Sequence, residues 1–287
     1  MSKRKGKLGF RGPGGTAGRP AERPGGRPRP AARSASRPGT HALWLFGVHA
    51  VMAALANPNR RPERLLATPE AAQTWGQRLR EERHPGHAGL ALQTVQRRDI
   101  DALLPEGSVH QGLALFTAPL AQPALEEIFG AEPPEPAARR VVVLLDQVTD
   151  PHNVGAVLRS AAAFGALAVV ALDKGAPEES GTLAKAASGA FEVVPYISVV
   201  NLARSLDALK EAGFWCLGLA GEAEHSLAES RPGAAVALVL GAEGSGLRRL
   251  TRERCDLLVK LPTRPPIDSL NVSNAAAVAL YELLGRG

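Results

Sequence analysis

Cysteine is scarce in this chain of 287 residues: only Cys216 and Cys255 occur. Two isolated cysteines cannot build a structural zinc site, and they give no disulfide framework. Long apolar runs are also missing. Stretches such as residues 141–145 fall far short of the roughly 20 residues a membrane span needs. The basic N-terminus lacks an apolar core, so no secretory signal is readable. The seven histidines are scattered, with no HExxH pair on one helix, so no metal site is expected. Gly244-Ser245-Gly246 lacks the Gly-x-Ser-x-Gly spacing of a nucleophile elbow. Together these absences disfavour a membrane protein, a disulfide-stapled secreted protein and a cysteine-rich metalloprotein. They make a reducing, cytoplasmic setting the expectation.

Acids are nearly absent from one region. Residues 1–40 hold 11 Lys and Arg against a single acid, Glu22, whereas the rest of the chain holds 23 basic and 27 acidic residues. The high overall pI therefore belongs to the first 40 residues. They also carry nine Gly and six Pro and almost no large apolar side chains. Such a segment buries too little surface to offset its ordering entropy, and a disordered basic tail is expected. It reads either as a polycation that gathers at RNA phosphates or as a solubilising extension.

The remainder has the length and the 45% apolar content of two folded domains. Residues 41–118 alternate strands (from residue 44, then 64–68, 90–96 and 112–117) with helices (48–56, 69–82 and 98–104), which predicts a small α/β domain. Residues 119–140, rich in Pro and Glu, read as a linker with a short helix near Glu126. From residue 141 the alternation becomes regular. Strands are predicted at 141–145, 168–172, 191–197, 215–220, 235–240 and 257–261, with helices at 154–164, 178–187, 201–212, 247–254 and 270–284. Strands apolar on both faces suit a mostly parallel sheet covered by helices on both sides.

Ligands of such sheets gather beyond the carboxyl ends of the strands, where three unusual loops fall. The first runs from Asp146 through Asp150-Pro151-His152-Asn153 into a helix carrying Arg159. Asp150 or Asn153 could serve as a plain helix cap. Arg159, among small and apolar neighbours, is expected in a partly desolvated site facing an anion or an oxygen-rich ligand, a structural carboxylate partner being the alternative. The second loop, Gly241-Ala242-Glu243-Gly244-Ser245-Gly246, permits close backbone approach but matches neither a Walker A loop nor GxGxxG. It could equally be a tight turn. The third places Ser269, Asn271, Ser273 and Asn274 at a helix start, where one cap would suffice. In a parallel sheet all three loops can meet at one pocket. His152 reads either as an acid or base or, more commonly for a loop position, as a surface histidine. The arginines 248, 249, 252 and 254 read either as a phosphate-binding patch or as a solvated helix face.

Taken together, the three loops resemble the three motifs of the SpoU/TrmH class of SPOUT methyltransferases, over roughly residues 141–287. Residues 41–118, ending in His110-Gln111-Gly112, are similar to the L30e-like RNA-binding domain that precedes the catalytic domain in many members. The resemblance implies a trefoil-knotted, mostly parallel sheet and methyl transfer from S-adenosylmethionine to a ribose 2′-hydroxyl of RNA. Ribosomal RNA, a 23S guanosine above all, is favoured over tRNA, and a non-catalytic RNA-binding protein of the same fold is the other alternative. It further implies a homodimer and cofactor contacts at Gly241, Ala242, Leu261, Pro262, Leu270 and Asn271. Catalytic roles would fall to Arg159, supported by Asn153, Glu243, Ser269 and Asn271. Residues 263–266 match no assigned position. The 13 basic and 16 acidic residues from 141 onward leave the origin of RNA affinity open between the arginine patch, the first domain and the tail.

Overall fold

In the computed structural model, residues 42–132 and 139–285 are described, and all of them belong to one compact unit, Ala35–Gly287. The basic tail expected over residues 1–40 and residues 133–138 of the expected linker lie outside the described residues.

The N-terminal part folds as read. Strands β1 (Leu43–Phe46), β2 (Pro62–Ala67), β3 (Leu92–Thr94) and β4 (Leu113–Thr117) form a four-stranded sheet in the order β1-β4-β2-β3. Helices α1 (Val48–Ala56), α2 (Pro69–Glu81) and α3 (Arg97–Asp101) connect them. Thr68 caps α2 through a bond from the Ala71 amide, with Pro69 in the first turn. His110 is fully buried: its Nδ1 accepts from the Gly112 amide, so Nε2 carries the proton that is donated to Asp101 at 3.0 Å. The His-Gln-Gly turn is thus held from inside the domain.

The second part is a seven-stranded sheet built from parallel pairs, ordered β7-β6-β5-β10-β8-β11-β9. Its strands are β5 (Arg140–Asp146), β6 (Ala168–Leu172), β7 (Tyr196–Val199), β8 (Trp215–Leu219), β9 (His225–Ser226), β10 (Ala235–Gly241) and β11 (Leu257–Lys260). The helices are α4 (Pro151–Phe164), α5 (Gly181–Ala187), α6 (Leu202–Glu211), α7 (Arg249–Arg254) and α8 (Val272–Leu284). The two-residue side-chain period of a strand splits β5 between two cores. Val141, Val143 and Leu145 join α4 and α8 on one face, while Val142 and Leu144 join α6 on the other. Every one of these five side chains is at most 1% exposed, which is why the strand reads as continuously apolar. After β11 the chain returns past the ends of β8 and β10, so that α8 packs on α4.

Two expectations need correction. The strand expected over 191–197 is instead a 3-10 turn, Ala190–Glu192, followed by β7. Pro195 has no amide proton for a sheet ladder, Phe191 turns inward against Tyr196 (ring centres 5.6 Å apart), and Glu192 is drawn to a buried arginine. The expected linker is a docked segment over its described part. Leu125 and Ile128, on a 3-10 turn, are buried against the α6 side of the sheet. Its apolar positions outweigh the breaking effect of its prolines.

The two parts meet closely. A Cβ on Gly181 would stand 2.2 Å from the Trp44 carbonyl oxygen, so α5 lies directly on β1. Beside this contact the buried guanidinium of Arg60 donates to both carboxylate oxygens of Glu192 at 2.7–3.0 Å and pairs with Glu179. Asn57 donates to Glu192 at 2.7 Å and the Leu120 amide to Glu179 at 2.9 Å.

Candidate active site

The three loops do converge. Asp150 caps α4, accepting from the His152 amide at 3.0 Å, with Pro151 in the first turn. That leaves the side chain of Asn153 free for other partners. Its Nδ2 donates to Glu243 of the second loop at 3.2 Å, and its Oδ1 accepts from Asn271 of the third loop at 2.9 Å. The Asn271 amide group also donates to Glu243. At the same time Asn271 Oδ1 caps α8, accepting from the amides of Ser273 and Asn274. Capping and site-building, alternatives in the sequence, are combined in one side chain.

Asp146, fully buried at the end of β5, fixes the exit of the second loop. It accepts from the Arg248 amide at 2.9 Å and from Arg248 Nε at 2.6 Å. Within that loop the Gly246 amide donates to the Ala242 carbonyl. Gly244 and Gly246 have φ of 79° and 63°, which favours glycine. A Cβ on Gly241 would lie 2.2 Å from the carbonyl carbon of Gly246. Gly241→Ala is therefore expected to cost about 1–3 kcal/mol by overpacking, read as a lower urea midpoint.

The second and third loops line a cavity of about 600 Å³, a size suited to a small-molecule ligand or cofactor, while Asn153 of the first loop stands outside the lining and reaches it only through Glu243 and Asn271. Gly241, Ala242, Glu243, Leu261, Ser269, Leu270 and Asn271, all singled out from the sequence, line it. Pro262 does not; it is exposed beside the cavity. Thr263, unassigned from sequence, lines the wall and donates to the Asp268 carbonyl. The turn after β8, Ala220-Gly221-Glu222, was missed and also forms the wall, together with Arg252 of α7, which the sequence offered only as part of an arginine patch. The strand before that turn was legible, but only the sheet order puts β8 between β10 and β11, beside the other two loops. Leu240, Leu247, Leu261, Leu270 and Val272 give the cavity an apolar side fit for a flat heterocycle. The residues present thus fit a nucleoside cofactor such as S-adenosylmethionine.

Arg159 departs from expectation. It is exposed, does not line the cavity, and has no hydrogen-bonding or ion-pair partner among the described residues. The inner face of α4 is taken by Val154, Val157, Leu158 and Ala161, which turns Arg159 outward on a stripe with His152, Ala156 and Ala163. His152 is exposed, as an ordinary surface histidine would be. The four arginines around α7 are each ion-paired: Arg248 with Asp146, Arg249 with Glu253, Arg252 with Glu222 and Arg254 with Asp207. Each of these charges is thus met by a carboxylate of the fold, and Arg252 also lines the cavity. Among the described residues there is no cluster of potential metal ligands and no helix long and apolar enough to cross a membrane.

Comparison with known proteins agrees with this geometry. The profile of the SpoU rRNA Methylase family matches residues 140–281, and that of the RNA 2′-O ribose methyltransferase substrate-binding domain matches residues 44–123. The chain is 41% identical over 243 residues to the 23S rRNA (guanosine-2′-O-)-methyltransferase RlmB of Vibrio cholerae, covering 83% of this chain and 94% of that protein. It is 39% identical over 242 residues to the enzyme of the same name from Escherichia coli, covering 83% and 96%. Among solved structures, an RNA 2′-O ribose methyltransferase superposes with a TM-score of 0.66 at 25% identity, covering 84% of this chain and 87% of that one. The SpoU methyltransferase AviRb of Streptomyces viridochromogenes, solved with the cofactor AdoMet, shares the fold with a TM-score of 0.68 at 20% identity, covering 84% and 89%. With both of its folded parts matched and its three loops hydrogen-bonded together beside a cavity, the chain belongs to the SpoU rRNA methylase family.

Proposed function

We propose that this protein methylates the ribose 2′-hydroxyl of a guanosine in 23S ribosomal RNA, with S-adenosylmethionine as donor. The observation that carries this reading is the Asn153–Glu243–Asn271 junction, which joins three loops from distant parts of the chain at the edge of the cavity. The names of the relatives that match along almost their whole length supply the substrate.

The bound cofactor supplies an activated methyl group on a sulfonium. The protein must position a hydroxyl that is a poor nucleophile and stabilise the alkoxide character it acquires. Glu243 is oriented by the two asparagine amides and offers a carboxylate at the reacting edge. Ser269 and Asn271 frame the same edge from the third loop. A guanidinium is a poor general base, so the role of Arg159 in this reading is electrostatic: it holds the alkoxide or an adjacent phosphate.

A second copy of the chain completes this arrangement. Arg159, Ala156 and Ala163 on α4 lie beside the exposed face of α8, where Asn274, Val278 (47% exposed) and Tyr281 (51%) stand. A face of small and apolar residues with one unpaired guanidinium suits an isologous dimer that brings Arg159 to a site. RNA affinity falls to the first domain and the basic N-terminal residues, since the α7 arginines are neutralised. Removal of residues 1–40 is expected to weaken RNA binding at low salt and to matter little at high salt; equal affinity at all salt concentrations would remove that role.

The reading is tested by incubating the protein with methyl-labelled cofactor and separated RNA classes, then mapping the modified nucleotide. Label in a 23S guanosine supports it. Label confined to tRNA, or cofactor binding without transfer to any RNA, overturns it.

A further inference from the structure

We propose that the Glu222–Arg252 ion pair is the subsite for the α-amino-carboxylate arm of the cofactor. This rests on the cofactor reading above and adds to it the residues that recognise one end of the molecule. Arg252 is the only cation lining the cavity among the described residues, against the carboxylates of Glu222, Glu243 and Asp268. Such a wall carries a net negative charge, which suits a ligand with a net positive one. S-adenosylmethionine has a sulfonium, an ammonium and a single carboxylate, and that carboxylate needs a cationic partner.

The three wall carboxylates are not equivalent. Glu243 is engaged by Asn153 and Asn271 on the side facing α4. Glu222 instead meets Arg252, so one acid and one base stand side by side. Both keep solvent access, with side chains 64% and 34% exposed, and an exposed pair of this kind contributes little to stability by itself. It can therefore open to a ligand at small cost. A zwitterion matches the pair charge for charge: the ligand carboxylate takes a bidentate position on the guanidinium, and the ligand ammonium faces Glu222.

The placement agrees with the fold. The turn carrying Glu222 follows β8, and the loop carrying Asn153 follows β5, two strands away and about 10 Å across the sheet edge. The apolar wall lies between them. A cofactor whose heterocycle occupies that wall and whose methyl faces Glu243 would extend its amino-acid arm toward β8.

Titration calorimetry on the full chain tests this with two ligands, S-adenosylhomocysteine and 5′-methylthioadenosine. The second keeps the adenine and ribose but lacks the amino-acid arm. Arg252→Met is expected to weaken S-adenosylhomocysteine binding roughly tenfold or more while changing methylthioadenosine binding less than about twofold. Glu222→Gln, which preserves shape, is expected to show the same selectivity with a smaller loss, and Arg252→Lys is expected to restore part of the affinity. An unchanged affinity for S-adenosylhomocysteine overturns the subsite. So does an equal loss for both ligands, which would assign the pair to the ribose or to the cavity wall. Failure of the unaltered protein to bind either ligand would instead overturn the cofactor reading itself.

Discussion

Alanine in place of Arg159 is expected to lower kcat by roughly 100- to 1,000-fold, the cost of removing one preorganised stabiliser of transition-state charge. Cofactor affinity and the unfolding midpoint should stay nearly unchanged. The reason is positional: Arg159 is exposed, contacts no partner among the described residues and does not line the cavity, so its loss breaks nothing within the fold. Single-turnover transfer at saturating cofactor, with cofactor binding measured in parallel, checks the split. Wild-type turnover in the variant would remove Arg159 from the reaction. A change confined to the oligomeric state, with kcat per chain intact, would make the residue an interface contact only.

Arg60→Met is expected to destabilise the chain by about 3–5 kcal/mol, the range for breaking a buried ion pair by removing one partner. Arg60 is 2% exposed, and its partners Glu179 and Glu192 are at most 5% exposed in their side chains. The variant would leave two carboxylates buried without a cation, held only by Asn57 and the Leu120 amide. Burial already pushes the Glu179 carboxyl up, against the field of Arg60. Removing that field raises it further. A carboxyl whose folded-state pKa lies above its unfolded value makes the folded state bind more protons, so stability falls as pH rises between the two values. The loss should therefore be largest near neutral pH and smaller on acidification toward the unfolded glutamate value of about 4.3. Urea unfolding of both proteins across that window measures it; an equal difference at every pH would mean that packing, not charge, is what Arg60 supplies. Because the pair ties the connection between α1 and β2 to the turn before β7, the same variant should loosen the two parts, read as faster proteolysis of residues 119–132.

Much of the fold was legible because it is local. Val141-Val142-Val143-Leu144-Leu145 announces a strand buried on both faces, and Thr68-Pro69 announces a helix start. Proline misled in two places. It marked residues 119–140 as a linker, and although the short helical turn expected near Glu126 is there, its Leu125 and Ile128 dock on the sheet; Pro195 interrupted what read as one strand across 191–197. The site was legible as three polar and glycine-rich loops after three apolar strands. The turn after β8 was not, because nothing in its own composition separates it from ordinary surface residues, and Arg252 was legible only as one of four arginines, not as part of the cavity.

The sequence alone determined the elements and the chemistry each loop could offer, since propensities, caps and apolar periodicity act over a few neighbouring residues. The tertiary structure decided which loops share a cavity, because strand order places β8 beside β10 and only there does Glu222 face Arg252. It also decided the direction of Arg159. Small neighbours in the chain suggested an enclosed guanidinium, whereas the packing of α4 against the sheet spends its apolar face inward and leaves that charge outside.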